Sequence, residues 1–118
     1  MKTLIFSILI ILFSNICFAQ YDTTPELIPY RKSTKWGYCN QSKEIIIPCK
    51  YDVATPFSEG LAAVVLNNKY GFIDKEGKDV IPLKYDLISS SFSEGLVSVM
   101  LKGKWGFIDK NGTEYWEY

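Results

Sequence analysis

One block returns three times along this chain. Lys35-Trp36-Gly37-Tyr38 recurs as Lys69-Tyr70-Gly71-Phe72-Ile73-Asp74 and again as Lys104-Trp105-Gly106-Phe107-Ile108-Asp109, at offsets of 34 and 35 residues. A period of that size belongs to stacked supersecondary units, each too small to bury its own apolar face. It rules out most single-core architectures and directs attention to surfaces, because nothing in the block spells out a reaction.

Each unit contains three strand-like runs. The first is residues 61–66, echoed by 96–101; the second is the aromatic-glycine block; the third is Asp79-Val80-Ile81-Pro82, echoed by Ile45-Ile46-Ile47-Pro48. The runs are short, β-branched or aromatic, and bounded by turn residues. No helical period occurs after residue 20. Asn67-Asn68 and Lys102-Gly103 suit two-residue hairpins with positive φ. Asp74-Lys75-Glu76-Gly77 and Asp109-Lys110-Asn111-Gly112 read as type I turns closed by a left-handed glycine. In the first unit Lys43 holds that glycine position, so the turn is strained by about 1 kcal/mol or changes type.

The expected fold is therefore all-β: three three-stranded antiparallel meanders in an open, solenoid-like array. The alternative is a closed pseudo-threefold barrel or propeller-like body. The units are 27–60, 61–95 and 96–118 within a single domain, 27–118, which follows a short tail at 20–26. Between meanders run links that repeat Lys-Tyr-Asp and then Phe-Ser-Glu-Gly. A solvated spacer has no reason to repeat Tyr51 and Tyr85, or Phe57 and Phe92, so these should plug the gaps between meanders. Gly60 and Gly95 should supply the positive φ that re-enters each first run.

Residues 1–19 read as a secretory signal peptide. Lys2 precedes an apolar stretch, and Cys17-Phe18-Ala19 places small residues before a cut at Gln20. The stretch is short for a membrane span and lacks a basic stop-transfer flank, so no stable span is expected after cleavage. The expected location is the bacterial periplasm or the exterior. Without Lys2 the chain has 12 basic and 13 acidic residues, and no field to attract nucleic acid. It contains no histidine, which removes the commonest general base and metal ligand. No cofactor, metal site or catalytic residue is expected.

Export would permit a disulfide between Cys39 and Cys49. The plainer reading makes them two small buried hydrophobes, since the next unit has Ile73 and Leu83 there. The acidic residues Asp52, Asp86, Glu59 and Glu94 could suggest a catalytic pair or calcium ligands. They recur in every link, which suits turn chemistry better.

Taken in order, Lys-Trp-Gly-Phe-Ile-Asp-Lys, Val-Ile-Pro-x-Lys-Tyr-Asp and Phe-Ser-Glu-Gly-Leu resemble the bacterial WG-containing repeat family across residues 27–118. The departures are the first unit's altered turn, Tyr70 for tryptophan, and Tyr115-Trp116-Glu117-Tyr118 in place of the Val-Ile-Pro run. The resemblance implies an all-β repeat protein and implies no reaction.

The pairs Trp36-Gly37, Tyr70-Gly71 and Trp105-Gly106 look like stacking platforms. A structural account is simpler: a strand glycine bares backbone that a neighbouring ring covers. Tyr115, Trp116 and Tyr118 end the array on an aromatic strand, where a terminal repeat ordinarily shows a polar face. That strand either packs back on its own unit or offers a patch to a partner protein or envelope component. The sequence thus points to an exported, non-enzymatic interaction or structural module. The alternative is a glycan- or peptidoglycan-binding module that uses exposed aromatics.

Overall fold

A computed structural model of the protein describes residues 26–117. The expected signal peptide, the tail before Glu26 and Tyr118 lie outside the described residues. There are no helices among the described residues, so none is long and apolar enough to cross a membrane.

Among the described residues eleven strands form three antiparallel sheets, and none of these sheets closes. The first contains β1 (Ile28–Lys32), β2 (Lys35–Cys39) and β3 (Ile45–Tyr51). The second contains β4 (Val53–Ala54), β5 (Ala62–Leu66), β6 (Lys69–Ile73) and β7 (Asp79–Tyr85). The third contains β8 (Leu87–Ile88), β9 (Leu96–Leu101), β10 (Lys104–Asp109) and β11 (Glu114–Trp116). The three meanders stand as an open array.

The links differ from expectation. Each begins as strand, since β3 and β7 run on to Tyr51 and Tyr85. Each then contributes two residues, β4 or β8, that pair with the first run of the following unit. The meanders of the second and third units are therefore four-stranded. Phe57 and Phe92 do fill the joints: Tyr38 and Phe57 ring centroids lie 4.9 Å apart, and Phe72 and Phe92 lie 4.7 Å apart.

The core is two clusters, one at each joint between sheets. Leu27, Tyr38, Ile47 and Tyr51 of the first unit meet Ala62, Val64 and Ile73 of the second. Leu61, Ala63, Phe72, Ile81 and Tyr85 of the second unit meet Phe92, Val97, Val99 and Ile108 of the third. Alternation along a strand explains the division. Ala62 and Val64 face backwards to the first unit, while Leu61 and Ala63 face forwards to the third. The second sheet is buried on both faces, which is why Ala62-Ala63-Val64-Val65 is a continuous apolar run.

Tight turns set the register. Asn67 and Asn68 have φ of 53° and 64°, and Lys102 and Gly103 have 53° and 80°, as two-residue hairpins of this hand require. Lys43 adopts φ 63° and keeps the turn type of its glycine counterparts. Its N–H donates to the Asn40 carbonyl at 3.0 Å, as Gly77 does to Asp74.

Cys39 and Cys49 are both free. Cys39 is buried opposite Ile45, and Cys49 lies further along β3, half-buried, with its thiol 3.5 Å from the Tyr30 carbonyl oxygen. The register along β3 sets the two thiols apart, and they are not bonded to each other in this structure. The pairing of both as buried hydrophobes holds for Cys39 alone.

Candidate functional site

The Trp-Gly glycines mark where strands cross closely. Tyr70 and Phe72 are two steps apart on β6, but their partners Tyr85 and Ile81 are four apart on β7. The surplus residues bulge toward Gly71, where an added Cβ would lie 2.7 Å from the Ile81 oxygen and 2.9 Å from the Leu83 nitrogen. Pro82, which lacks an N–H, sits in the bulge without leaving a ladder donor unpaired. Gly37 is crossed in the same way, its hypothetical Cβ 2.7 Å from the Pro48 oxygen. The covering group is backbone here, not the aromatic ring that the sequence suggested.

The third sheet departs from this pattern, and the departure creates the site. Its last pairing runs straight: Ile108 opposite Glu114, Phe107 opposite Tyr115, Gly106 opposite Trp116. In the second sheet Val80 is bulged out, so Phe72 faces Ile81. Without that bulge Tyr115 keeps the forward side of its counterpart Val80, while Trp116 takes the face opposite to that of its counterpart Ile81. Trp116 turns backwards, packs on the second joint and covers Gly106, with ring atom Cζ3 2.8 Å from a hypothetical Cβ there. Tyr115 turns forwards, beside Phe107.

The forward face of the third sheet is therefore Leu96, Met100, Trp105, Phe107 and Tyr115, with Ser98 among them and Leu87 beside Met100. Phe72, at the matching place one unit earlier, is 1% exposed, whereas Phe107 is 46% exposed. Trp105 and Tyr115 are 49% and 52% exposed. A depression of about 340 Å³ is lined by Ser89, Ser98, Trp105, Gly106, Phe107 and Glu117. Trp36 and Tyr70 are half-buried instead, and Arg31 lies over the Trp36 ring at 5.9 Å.

The repeated carboxylates are engaged in the joints. Asp52 pairs with Lys35 and accepts the Asn67 N–H at 3.0 Å. Asp86 pairs with Lys69 at 2.5 Å and accepts the Lys102 N–H at 2.9 Å. These cation and N–H contacts hold both carboxyls below the usual range. Glu59 accepts the Gly95 N–H at 2.9 Å. Gly60 and Gly95 have φ of 82° and 79°, each in a two-residue turn that closes on the following first run. Among the described residues no cluster of three or more Cys, Asp or Glu is gathered to hold a metal ion.

Glu114 was not singled out by sequence, yet it forms a polar node that ties the second unit to the third. It accepts from Tyr85 Oη at 2.6 Å and from the Trp116 indole at 2.9 Å, and pairs with Lys84 at 2.5 Å. Lys84 first, then Tyr85 and Trp116, pull its carboxyl down to about 2. Burial first, and then the contact with Glu114, push the Tyr85 hydroxyl up. Only the alignment of Glu114 with Asp79 and of Tyr85 with Tyr51 could have signalled this node.

The sequence profile described as WG containing repeat matches residues 36–70 and 70–105. This chain belongs to the WG-containing repeat family. A search of curated proteins and a search of solved structures each found no match. As a WG-repeat module, the chain divides at its tryptophan-glycine positions, so the matched segments run from one Trp-Gly crossing to the next.

Proposed function

We propose that this WG-repeat protein is an exported, non-enzymatic module of the bacterial envelope, periplasmic or secreted, that works by holding another protein against the forward face of its third sheet. The observation that carries this reading is the contrast between Phe72, sealed inside a joint, and Phe107, at the same repeat position but half open to solvent. A repeat face built for burial and left uncovered is an interaction surface. The signal-like residues 1–19 support export. The engagement of Asp52, Asp86 and Glu59 in turns and ion pairs supports a structural use of the acidic residues.

A photo-crosslinking residue placed at 107 in exporting cells should yield a protein adduct, and the same residue at the exposed turn position 43 should not. Equal labelling from both positions, or none, overturns the surface. Turnover of a substrate by the purified protein, abolished by one carboxylate substitution, overturns the non-enzymatic reading. Recovery of a chain that still carries residues 1–19 overturns export.

One observation favours a glycan-binding alternative. Trp105 and Phe107 stand two residues apart on one strand face, with Ser89 and Ser98 lining the same depression. Titration of cell-wall fragments against tryptophan fluorescence discriminates. A saturable shift lost in Trp105→Ala selects the glycan, and no shift removes it.

A further inference from the structure

Among the described residues the array has two outer faces, and both are apolar. At the front, Ile28, Cys39 and Ile45 lie side by side across β1, β2 and β3. The matching triplets are Ala62, Ile73 and Asp79 in the second sheet and Val97, Ile108 and Glu114 in the third. In both later units this face turns backwards into a joint. In the first unit there is no preceding unit among the described residues, and Ile28 and Tyr30 are 42% and 36% exposed. The substitutions run against what an end cap needs. Where the inner joints use Asp79 and Glu114, the front has Ile45. Where they use Val64 and Val99, it has Tyr30. A terminal repeat facing water ordinarily exchanges apolar residues for polar ones.

We infer that the forward face of the third sheet receives the front face of a second copy of this chain, in a head-to-tail contact that repeats the two joints already made inside each molecule. Inside the chain a forward face always meets a front face, at Phe72 against Val97, Val99 and Ile108 and at Tyr38 against Ala62, Val64 and Ile73. Among the described residues one example of each is left uncovered. The inner joints also hold Phe57 or Phe92 from a link, and no Phe-Ser-Glu-Gly precedes Leu27. The bulk that this phenylalanine would supply is present on the faces themselves. Tyr30 replaces valine, Tyr115 takes the place opposite Phe107, and Trp105 replaces Tyr70. A forward-to-forward dimer would set Trp105, Phe107 and Tyr115 against their own copies and leave Ile28, Tyr30 and Ile45 uncovered. A head-to-tail contact covers both faces, and being heterologous it continues into an open series.

The inference rests on the proposed interaction surface, and its test separates the two. Sedimentation of the purified protein should show a mean mass that climbs past two chains as concentration rises. Tyr30→Glu blocks the front and leaves the forward face intact; Phe107→Glu does the reverse. Each variant alone should remain a monomer, and an equimolar mixture should stop at one copy of each. Self-association of Tyr30→Glu alone would mean forward-to-forward pairing and overturn the head-to-tail contact, as would self-association of Phe107→Glu alone. Both variants are checked for unchanged melting, with Tyr115→Glu as the second forward-face variant if Phe107→Glu does not fold. A wild-type protein that stays monomeric overturns self-assembly, whether or not crosslinking from position 107 captures a different protein. Where a monomeric wild-type protein still crosslinks a different protein from position 107, the interaction surface stands and only its occupant changes; where it crosslinks none, the surface falls as well.

Discussion

Tyr51 and Tyr85 are the same residue at the same repeat position, both buried, with opposite fates for their hydroxyls. Tyr85 donates to Glu114, and Tyr51 has no partner among the described residues. Burial first, and then the charge of Asp79, push the Tyr51 hydroxyl up; Asp79 is the residue aligned with Glu114 and its side chain is one methylene shorter. Tyr85→Phe should cost about 1.5–3 kcal/mol, because the lost bond is to a charged group, while Tyr51→Phe should be neutral or slightly stabilising. Asp79→Glu should raise stability by about 1 kcal/mol, and that gain should vanish in a Tyr51→Phe background, measured by a double-mutant cycle in urea. Glu114 also sets an acid limb. Its folded pKa of about 2 lies below the ordinary 4.5, so the folded state favours the ionised form, fully so above pH 4.5 and progressively less as pH falls to 2. Melting temperatures of wild type and Glu114→Gln should differ at pH 7 and converge toward pH 2. The sequence offered both tyrosines as joint residues, but it could not show their hydroxyl partners, which depend on where a carboxylate one unit away comes to rest.

Among the elements, the turns were legible and the bulges were not. Asn67-Asn68 and Lys102-Gly103 state their conformation in two residues, and both hairpins form as read. Lys43 keeps the left-handed conformation of Gly77 and Gly112 despite its side chain. Lys43→Gly should therefore stabilise, by less than about 1 kcal/mol, since relief of strain is partly offset by the freer unfolded chain. The opposite change, Gly77→Ala, should destabilise. The fourth strands were missed because Val53-Ala54 and Leu87-Ile88 are too short for alternation to register. The backward turn of Trp116 was missed because a single bulged residue, Val80, reverses every face after it in the second unit and has no counterpart in the third. The structure makes Trp116, not Tyr115, the residue that anchors β11 to the joint. Trp116→Ala should lower stability by about 3 kcal/mol, and Tyr115→Ala by less than about 1, compared by thermal melting.

Across the whole molecule, protection should follow burial of faces, not position in the chain. The second sheet packs on both sides, whereas the outer sheets each pack on one. Amide exchange should therefore be slowest in β5 and β6 and faster in β1 and β11, where opening exposes only one joint. Stability in such an array is close to a sum over units and joints, so substitutions in the first joint should add to those in the second. Gly71→Ala, which drives a Cβ into the crossing strand, should unsettle both joints at once and lower the melting temperature more than Gly103→Ala, whose Cβ meets nothing within 4 Å.

The two-faced burial of the second sheet has a genetic corollary. Residues 61–95 make one joint in front and one behind, and the two joints use matching positions. A duplication of that segment would place a forward face against a front face at the new seam, already complementary, and would leave both ends untouched. Lengthening or shortening by whole units requires no new interface, so recombination between aligned Trp-Gly codons could change the reach of such a protein in steps without first passing through an unfolded product.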